Sequence, residues 1–76
     1  MVVPLSTLPP GQGGRIVWLA AEPEQENRLA SIGFAPDCNV QCLFKGRRHS
    51  MAAYMAQGSV FGLREQDAQV ILVKIC

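Results

Sequence analysis

The stretch Arg28-Leu29-Ala30-Ser31-Ile32-Gly33-Phe34-Ala35-Pro36-Asp37 has the features that end a short helix and lead into a strand a few residues later. Leu29 and Ile32 are three residues apart, the spacing of neighbours on one face of a helix. Gly33 follows at the position where a left-handed residue commonly ends a helix, and Pro36 prevents the helix from resuming. The sequence therefore predicts a change from helix to sheet at this point.

A hydrophobic period of two begins at Cys38. It predicts a strand over about 39–45, with Val40, Cys42 and Phe44 on one side. Further strands are expected at about 15–20, 51–57, 60–63 and 70–75, with a helical insert at 23–33 and a helical turn at 64–69. These elements favour a mainly β fold of about five strands, a small and partly open barrel, because curling a sheet on itself buries one apolar face. A two-layer packing of helix on sheet is the alternative.

The composition is typical of one compact domain over residues 1–76. Hydrophobic residues make up 49% of the chain and charged residues 17%, and the net charge is +1. Since no run of about 18 apolar residues offers a membrane span, and residues 1–5 lack the pattern of a secretory signal, we expect a cytoplasmic protein without membrane insertion. Three cysteines suit a reducing compartment. A charge this close to zero argues against a protein built to bind nucleic acid.

The residue types needed for catalysis or metal binding do not assemble in this sequence. His49 is the single histidine, so one copy of the chain cannot supply the two histidines and one carboxylate typical of iron(II) sites. Cys38 and Cys42 would lie about 13 Å apart on an extended strand, too far to hold one ion, and are expected to be buried thiols. The sequence also offers no convincing set of nucleophile, base and orienting group. We therefore expect no enzyme, no bound metal and no cofactor.

Residues 45–55 hold the features that point to binding. One basic cluster consists of Lys45, Arg47, Arg48 and His49. It is suited to a phosphate group or an acidic partner surface, although such a cluster more often marks a solvated loop. Met51 and Met55 are predicted on the strand face opposite Tyr54. The methionines are interpreted as core filling, with a contact patch as the alternative.

Taken in order, several short motifs resemble those of the FeoA family, the ferrous-iron transport protein A domains. The first half contributes Pro4-Leu5-Ser6-Thr7-Leu8, Pro10-Gly11, Gly14-Arg15-Ile16-Val17, Arg28-Leu29, Ile32-Gly33-Phe34 and Pro36. The second half contributes Gly58, Leu63-Arg64, Asp67-Ala68 and Ile71-Leu72-Val73. Asp37 departs from the family's usual glycine, but aspartate tolerates left-handed backbone. A second departure is the loop at 45–49, where the family tends to carry a Gly-Asp-Pro type loop.

The resemblance implies an SH3-like barrel and a cytoplasmic accessory or regulatory protein of bacterial ferrous iron uptake. The implied partner is the cytoplasmic part of the FeoB-type GTPase-linked membrane transporter. We expect one set of contact positions at the end of the helix, Arg28 and Phe34. A second set consists of Arg47, Arg48 and Tyr54.

Two alternatives stay open. A thiol or transition-metal sensor would use Cys76 with His49 or with a second copy of the chain. A nucleic-acid-binding barrel would lose affinity steeply with added salt. It is the less favoured of the two, because Trp18 and Phe44 lie in apolar strands and do not alternate with basic residues. The sequence leaves weak self-association open.

Overall fold

The structure, a computed structural model, describes residues 1–75 apart from the side chain of His49. This part of the chain contains six strands and two α-helices. The strands are β1 (Val2–Pro4), β2 (Gly13–Leu19), β3 (Asn39–Lys45), β4 (Met51–Ala56), β5 (Ser59–Arg64) and β6 (Ile71–Ile75). The helices are α1 (Pro23–Ser31) and α2 (Glu65–Ala68), and 3-10 turns lie at Leu5–Thr7 and Arg47–His49. No helix in this described part is long and apolar enough to cross a membrane.

The described strands pair antiparallel in the order β1-β6-β2-β3-β4-β5. The mainly β prediction is confirmed, with α1 inserted between β2 and β3 and α2 placed before β6. The predicted count of about five is one too low for the described residues, because β1 adds a strand that pairs with β6 through Val2–Lys74, Val3–Val73 and Pro4–Leu72. The sequence did not predict β1, because a stretch of three residues that includes a proline lacks the pattern of a strand. The strand forms nevertheless, since the missing N–H of Pro4 is tolerated at a sheet edge.

A bulge in β3 changes which of its side chains face the core. Cys42 pairs with Tyr54 while Phe44 pairs with Ala53, so Leu43 is an extra residue. Beyond a bulge the alternation of faces is inverted, and Phe44 is accordingly 61% exposed on the outer face of the sheet. The prediction that Phe44 shares a side with Cys42 is wrong for this reason.

Tyr54 is the large side chain that β4 turns into the core. It is 1% exposed, and Ala56 on the same face is also buried. Met51 and Met55 lie on the opposite, outer face, where Met51 is 45% exposed and Met55 is half-buried. The prediction that the methionines lie opposite Tyr54 is confirmed. Their interpretation as core filling is wrong, because the tyrosine takes the core position.

The end of α1 is closed by a backbone motif. Gly33 has φ +102° and donates its N–H to the Ala30 carbonyl at 3.1 Å, while the Phe34 N–H donates to the Leu29 carbonyl at 2.9 Å. These two bonds form a Schellman motif, which satisfies carbonyls that the helix leaves free. The predicted ending at Gly33 is confirmed. Asp37, with φ +73°, adopts the left-handed backbone that its position requires.

The same motif carries Phe34 into the core. Phe34 is 0% exposed and stands edge-on to Phe61, with ring centroids 5.8 Å apart. In a Schellman motif the residue after the glycine commonly packs against the last helical turn, and here Phe34 and Leu29 belong to one buried cluster. The expected contact position at Phe34 is corrected accordingly, because its side chain presents no surface to a partner.

Candidate functional site

A cleft of about 350 Å³ opens beside the turn Arg47–His49. We call it the basic cleft, and it is lined by Ser6, Lys45, Arg48, Ala52, Tyr54, Leu63 and Glu65. The bulge in β3 puts Lys45 on the inner face of the sheet, where it pairs with Ala52. Lys45 Nζ donates to the Ser6 carbonyl at 2.8 Å. This hydrogen bond fixes the ammonium group at the cleft and ties β3 to the turn at Leu5–Thr7.

The basic cleft carries more positive than negative charge. Lys45 and Arg48 are its cations, and Glu65 is the carboxylate in its lining. Arg48 lines the cleft from a left-handed backbone position, φ +57°, which residues other than glycine seldom adopt. Arg47 in the same turn is exposed. The arrangement is suited to an anionic group of a partner, since charge-assisted hydrogen bonds from arginine and lysine are the strong ones.

Two buried acidic groups near the cleft keep their protons at neutral pH. Burial raises the pKa of Tyr54 to about 12, with further contributions from Cys42 and Glu65. Burial also raises the pKa of the Cys42 thiol, although the Lys45 charge acts in the opposite direction. Because a reactive thiol needs a lowered pKa, Cys42 is expected to be chemically inert.

The structure brings part of the second expected contact set together. Arg48 and Tyr54 both line the basic cleft, and Arg47 lies in the turn beside it. The expected contact position at Tyr54 is corrected, because its side chain is 1% exposed and a partner could reach it only through the cleft. The two arginines keep their side chains at the surface.

Arg28 is exposed but also engaged within the molecule. Its Nη2 lies 3.6 Å from Asp67 Oδ1, and 67% of its side chain is exposed. Gln25 Nε2 donates to the same Asp67 oxygen at 2.9 Å. These contacts join α1 to α2, although an exposed ion pair contributes only about 0–1 kcal/mol. Arg28 therefore helps to hold α1 and still offers a surface to a partner.

The thiols do not form a joint site in the described chain. Cys42 is buried, while Cys38 is half-buried and accepts a hydrogen bond from Gln57 Nε2 at 3.0 Å. Among the side chains that the structure describes, no three His, Cys, Asp or Glu residues gather as metal ligands would. Cys76 and the side chain of His49, which the sensor alternative invokes, lie outside the described part.

We expect Tyr54 to ionise near pH 12 in the folded protein and near pH 10 in the unfolded chain. Since the folded state favours the neutral phenol, this group's contribution to stability is complete below about pH 10 and is lost as the pH rises through about 12. Tyr54 is the only tyrosine, so the ultraviolet absorbance of tyrosinate reports on it alone. A Tyr54→Phe variant provides the blank. A midpoint near pH 10 in folded protein would contradict the expectation.

Sequence reasoning missed an apolar surface on the outer face of β3, β4 and β5. We call it the outer patch, and it consists of Phe44, Met51, Met55 and Val60. Phe44 is 61% exposed, Val60 55% and Met51 45%. The placement of both methionines on one face was a usable signal, and the contact-patch alternative for them points to this surface. The exposure of Phe44 depends on the bulge, for which the sequence holds no signal.

Known families and structures match nearly the whole chain. A family model described as the FeoA domain matches residues 3–75. The crystal structure of an iron uptake regulatory protein, FeoA, is 26% identical with a TM-score of 0.90, and the match covers 100% of this chain and 99% of that one. FeoA from Stenotrophomonas maltophilia, complexed with zinc and described as a prokaryotic SH3 domain protein, is 23% identical with a TM-score of 0.80 over 97% and 89% of the two chains. The predicted SH3-like fold is confirmed.

The fold also occurs inside larger proteins. A manganese-dependent transcriptional repressor matches with a TM-score of 0.90 at 22% identity, and the match covers 99% of this chain but 41% of the repressor. At this identity the likeness concerns the fold alone. A search of curated proteins finds no match.

Proposed function

This chain belongs to the FeoA family, and from that premise we propose that it is a cytoplasmic accessory protein of bacterial ferrous iron uptake that contacts the FeoB-type GTPase transporter. Membership in the family implies involvement in ferrous iron transport. FeoA domains are small accessory domains and not known enzymes. The observation that carries the proposal is the family match over residues 3–75. The basic cleft and the exposed apolar side chains of the outer patch support it, because both are suited to contact with another protein.

A binding protein of this kind acts through differential affinity. If it binds one conformation of the transporter's cytoplasmic part more tightly than another, it shifts the population toward the first. A tenfold preference corresponds to about 1.4 kcal/mol, which a few charged contacts are able to supply. No step beyond recognition is needed for regulation.

In the proposed complex, the basic cleft binds an acidic group of the partner. Arg48 and Lys45 face the cleft, and Arg47 extends from the same turn. Lys45 is already fixed by its hydrogen bond to Ser6, so it loses little side-chain freedom on binding. Arg28, on the exposed side of α1, is a further candidate contact.

Titration of the purified protein with the transporter's cytoplasmic GTPase domain tests this function by calorimetry. We expect micromolar binding, and a loss of about tenfold in affinity for the double variant Arg47→Ala/Arg48→Ala, because charge-assisted contacts are removed. The matched control is Arg15→Ala/Lys74→Ala, which removes two positive charges from β2 and β6 and should bind within about twofold of wild type. Folded protein that does not bind at micromolar concentration would contradict the proposal.

A further inference from the structure

The charges of this protein are segregated between its helices and its sheet. In the described chain every carboxylate side chain lies outside the strands, at Glu22, Glu24, Glu26, Asp37, Glu65 and Asp67. The charged side chains within the described strands are all cations, and they are Arg15, Lys45, Arg64 and Lys74. A net charge of +1 therefore conceals a sheet that is uniformly positive.

The outer patch has a recessed floor within this positive sheet. Phe44, Ala53 and Gly62 form one row across β3, β4 and β5. Ala53 lies on the outer face yet is only 7% exposed, so the larger side chains around it rise above it. Gly62 adds no side chain, and the Met51 methyl lies 3.5 Å from where a Cβ on Gly62 would stand. The result is a shallow apolar seat flanked by Phe44, Met51 and Val60.

The seat has the dimensions of a short stretch of helix. From Met51 to Met55 the strand advances about 13 Å, and three neighbouring strands span about 10 Å. An α-helix covers about 10.5 Å between residues i and i+7, so the apolar side chains of two turns fit this length. Methionine side chains adapt to different apolar partners, which suits a surface that binds and releases.

Cations border the outer patch on the side of the turn Arg47–His49. Arg64 is the cross-strand partner of Met51 and shares its face. Arg47 lies exposed in the turn that leads into β4, whereas Arg48 of the same turn lines the basic cleft. The three strands of the patch carry no carboxylate in the described chain. Glu65, which follows β5, lines a surface pocket with Met51 and Arg64, so the two arginines Arg47 and Arg64 outnumber it at this border. A partner with acidic flanks therefore gains net attraction.

We propose that the outer patch docks an amphipathic helix of a protein partner, with apolar side chains in the seat and acidic side chains toward Arg47 and Arg64. This deepens the proposed function and rests on it, since the helix would belong to the transporter's cytoplasmic part. A second copy of this chain fits less well. Its acidic helix α1 buries only Leu29 and offers no free apolar stripe. A recessed seat also suits a side chain better than it suits a flat lipid surface.

The first test compares exposed apolar residues inside and outside the outer patch by titration with the transporter's GTPase domain. Phe44→Ser/Val60→Ser should weaken binding at least about tenfold, because the seat loses two of its flanks. Trp18→Ser is the control, since Trp18 is 60% exposed and lies on β2, outside the patch. It should bind within about twofold of wild type. If wild type binds and Phe44→Ser/Val60→Ser binds equally well, the docking proposal is overturned while the proposed function stands.

The second test separates the docking proposal from the identity of the partner. The probe is a synthetic helical peptide of about 18 residues with leucine on one face and glutamate on its flanks, and the control peptide has lysine in place of glutamate. We expect backbone NMR shifts confined to β3, β4 and β5 with the acidic peptide, reduced by Arg64→Glu. Binding of the acidic peptide without binding of the GTPase domain would remove the proposed function and keep the docking surface. Equal shifts with both peptides would overturn the docking proposal, because the patch would then show no preference for acidic flanks.

Two further outcomes also overturn the proposal. If Phe44→Ser/Val60→Ser abolishes association with phosphatidylserine vesicles, and neither the GTPase domain nor the acidic peptide binds, the outer patch serves a membrane. If the same variant abolishes a dimer detected by sedimentation of wild type, a second copy covers the patch.

Discussion

Phe34→Ala is expected to lower the free energy of unfolding by about 3–5 kcal/mol. Phe34 is 0% exposed and packs edge-on against Phe61, so truncation leaves a cavity between the end of α1 and β5. The backbone around it is held by the Gly33 and Phe34 hydrogen bonds and cannot collapse freely into the space. A domain of 76 residues has a total stability of about 4–11 kcal/mol, so this one substitution removes a large part of it.

Urea unfolding followed by far-ultraviolet circular dichroism measures this loss. Phe44→Ala is the matched control, because it removes the same atoms from a side chain that is 61% exposed, and it should cost less than about 1 kcal/mol. Similar losses for the two variants would mean that Phe34 is not a core residue. The slope of the free energy of unfolding against urea concentration should equal that of wild type, since both variants unfold from the same compact state.

The helix-to-strand junction was predictable because its signals are local. Gly33 ends α1 with a positive φ, Pro36 stops the helix from resuming, and Asp37 accepts left-handed backbone. Each of these follows from the conformational limits of one residue type. The burial of Phe34 could also have been predicted, because an apolar residue directly after a Schellman glycine commonly packs back on the helix.

The faces of the strands were predictable only as far as the first bulge. An alternating pattern assumes an uninterrupted register, whereas the extra residue Leu43 depends on how β3 pairs with β4, which the pattern within β3 does not contain. This one residue moves Phe44 to the surface and Lys45 to the basic cleft. The candidate site was therefore predicted only in part. The charges of Arg47 and Arg48 identified them in the sequence, whereas the outer patch becomes visible only once the register between β3 and β4 is known.

Gly33→Ala is expected to cost about 2–3 kcal/mol through two separate effects. The backbone at φ +102° disfavours any L side chain, which accounts for about 1–2 kcal/mol. In addition, a Cβ at this position would lie 2.7 Å from Gln57 Cγ and 3.3 Å from Gln57 Cβ, so the glutamine has to shift. Its hydrogen bond to Cys38 Sγ, 3.0 Å long, would be lost in that shift.

Gly58→Ala separates the two effects. Gly58 has φ +76°, but a Cβ added there would meet no described atom within 4 Å, so this variant carries the backbone cost alone, about 1 kcal/mol. Adding Gln57→Ala to Gly33→Ala should recover part of the loss, and a double-mutant cycle in urea measures this coupling. Equal losses for Gly33→Ala and Gly58→Ala, with no coupling to Gln57, would show that the glutamine moves aside freely. In that case the end of α1 would be held by the conformation of Gly33 and not by its contact with the β4–β5 turn.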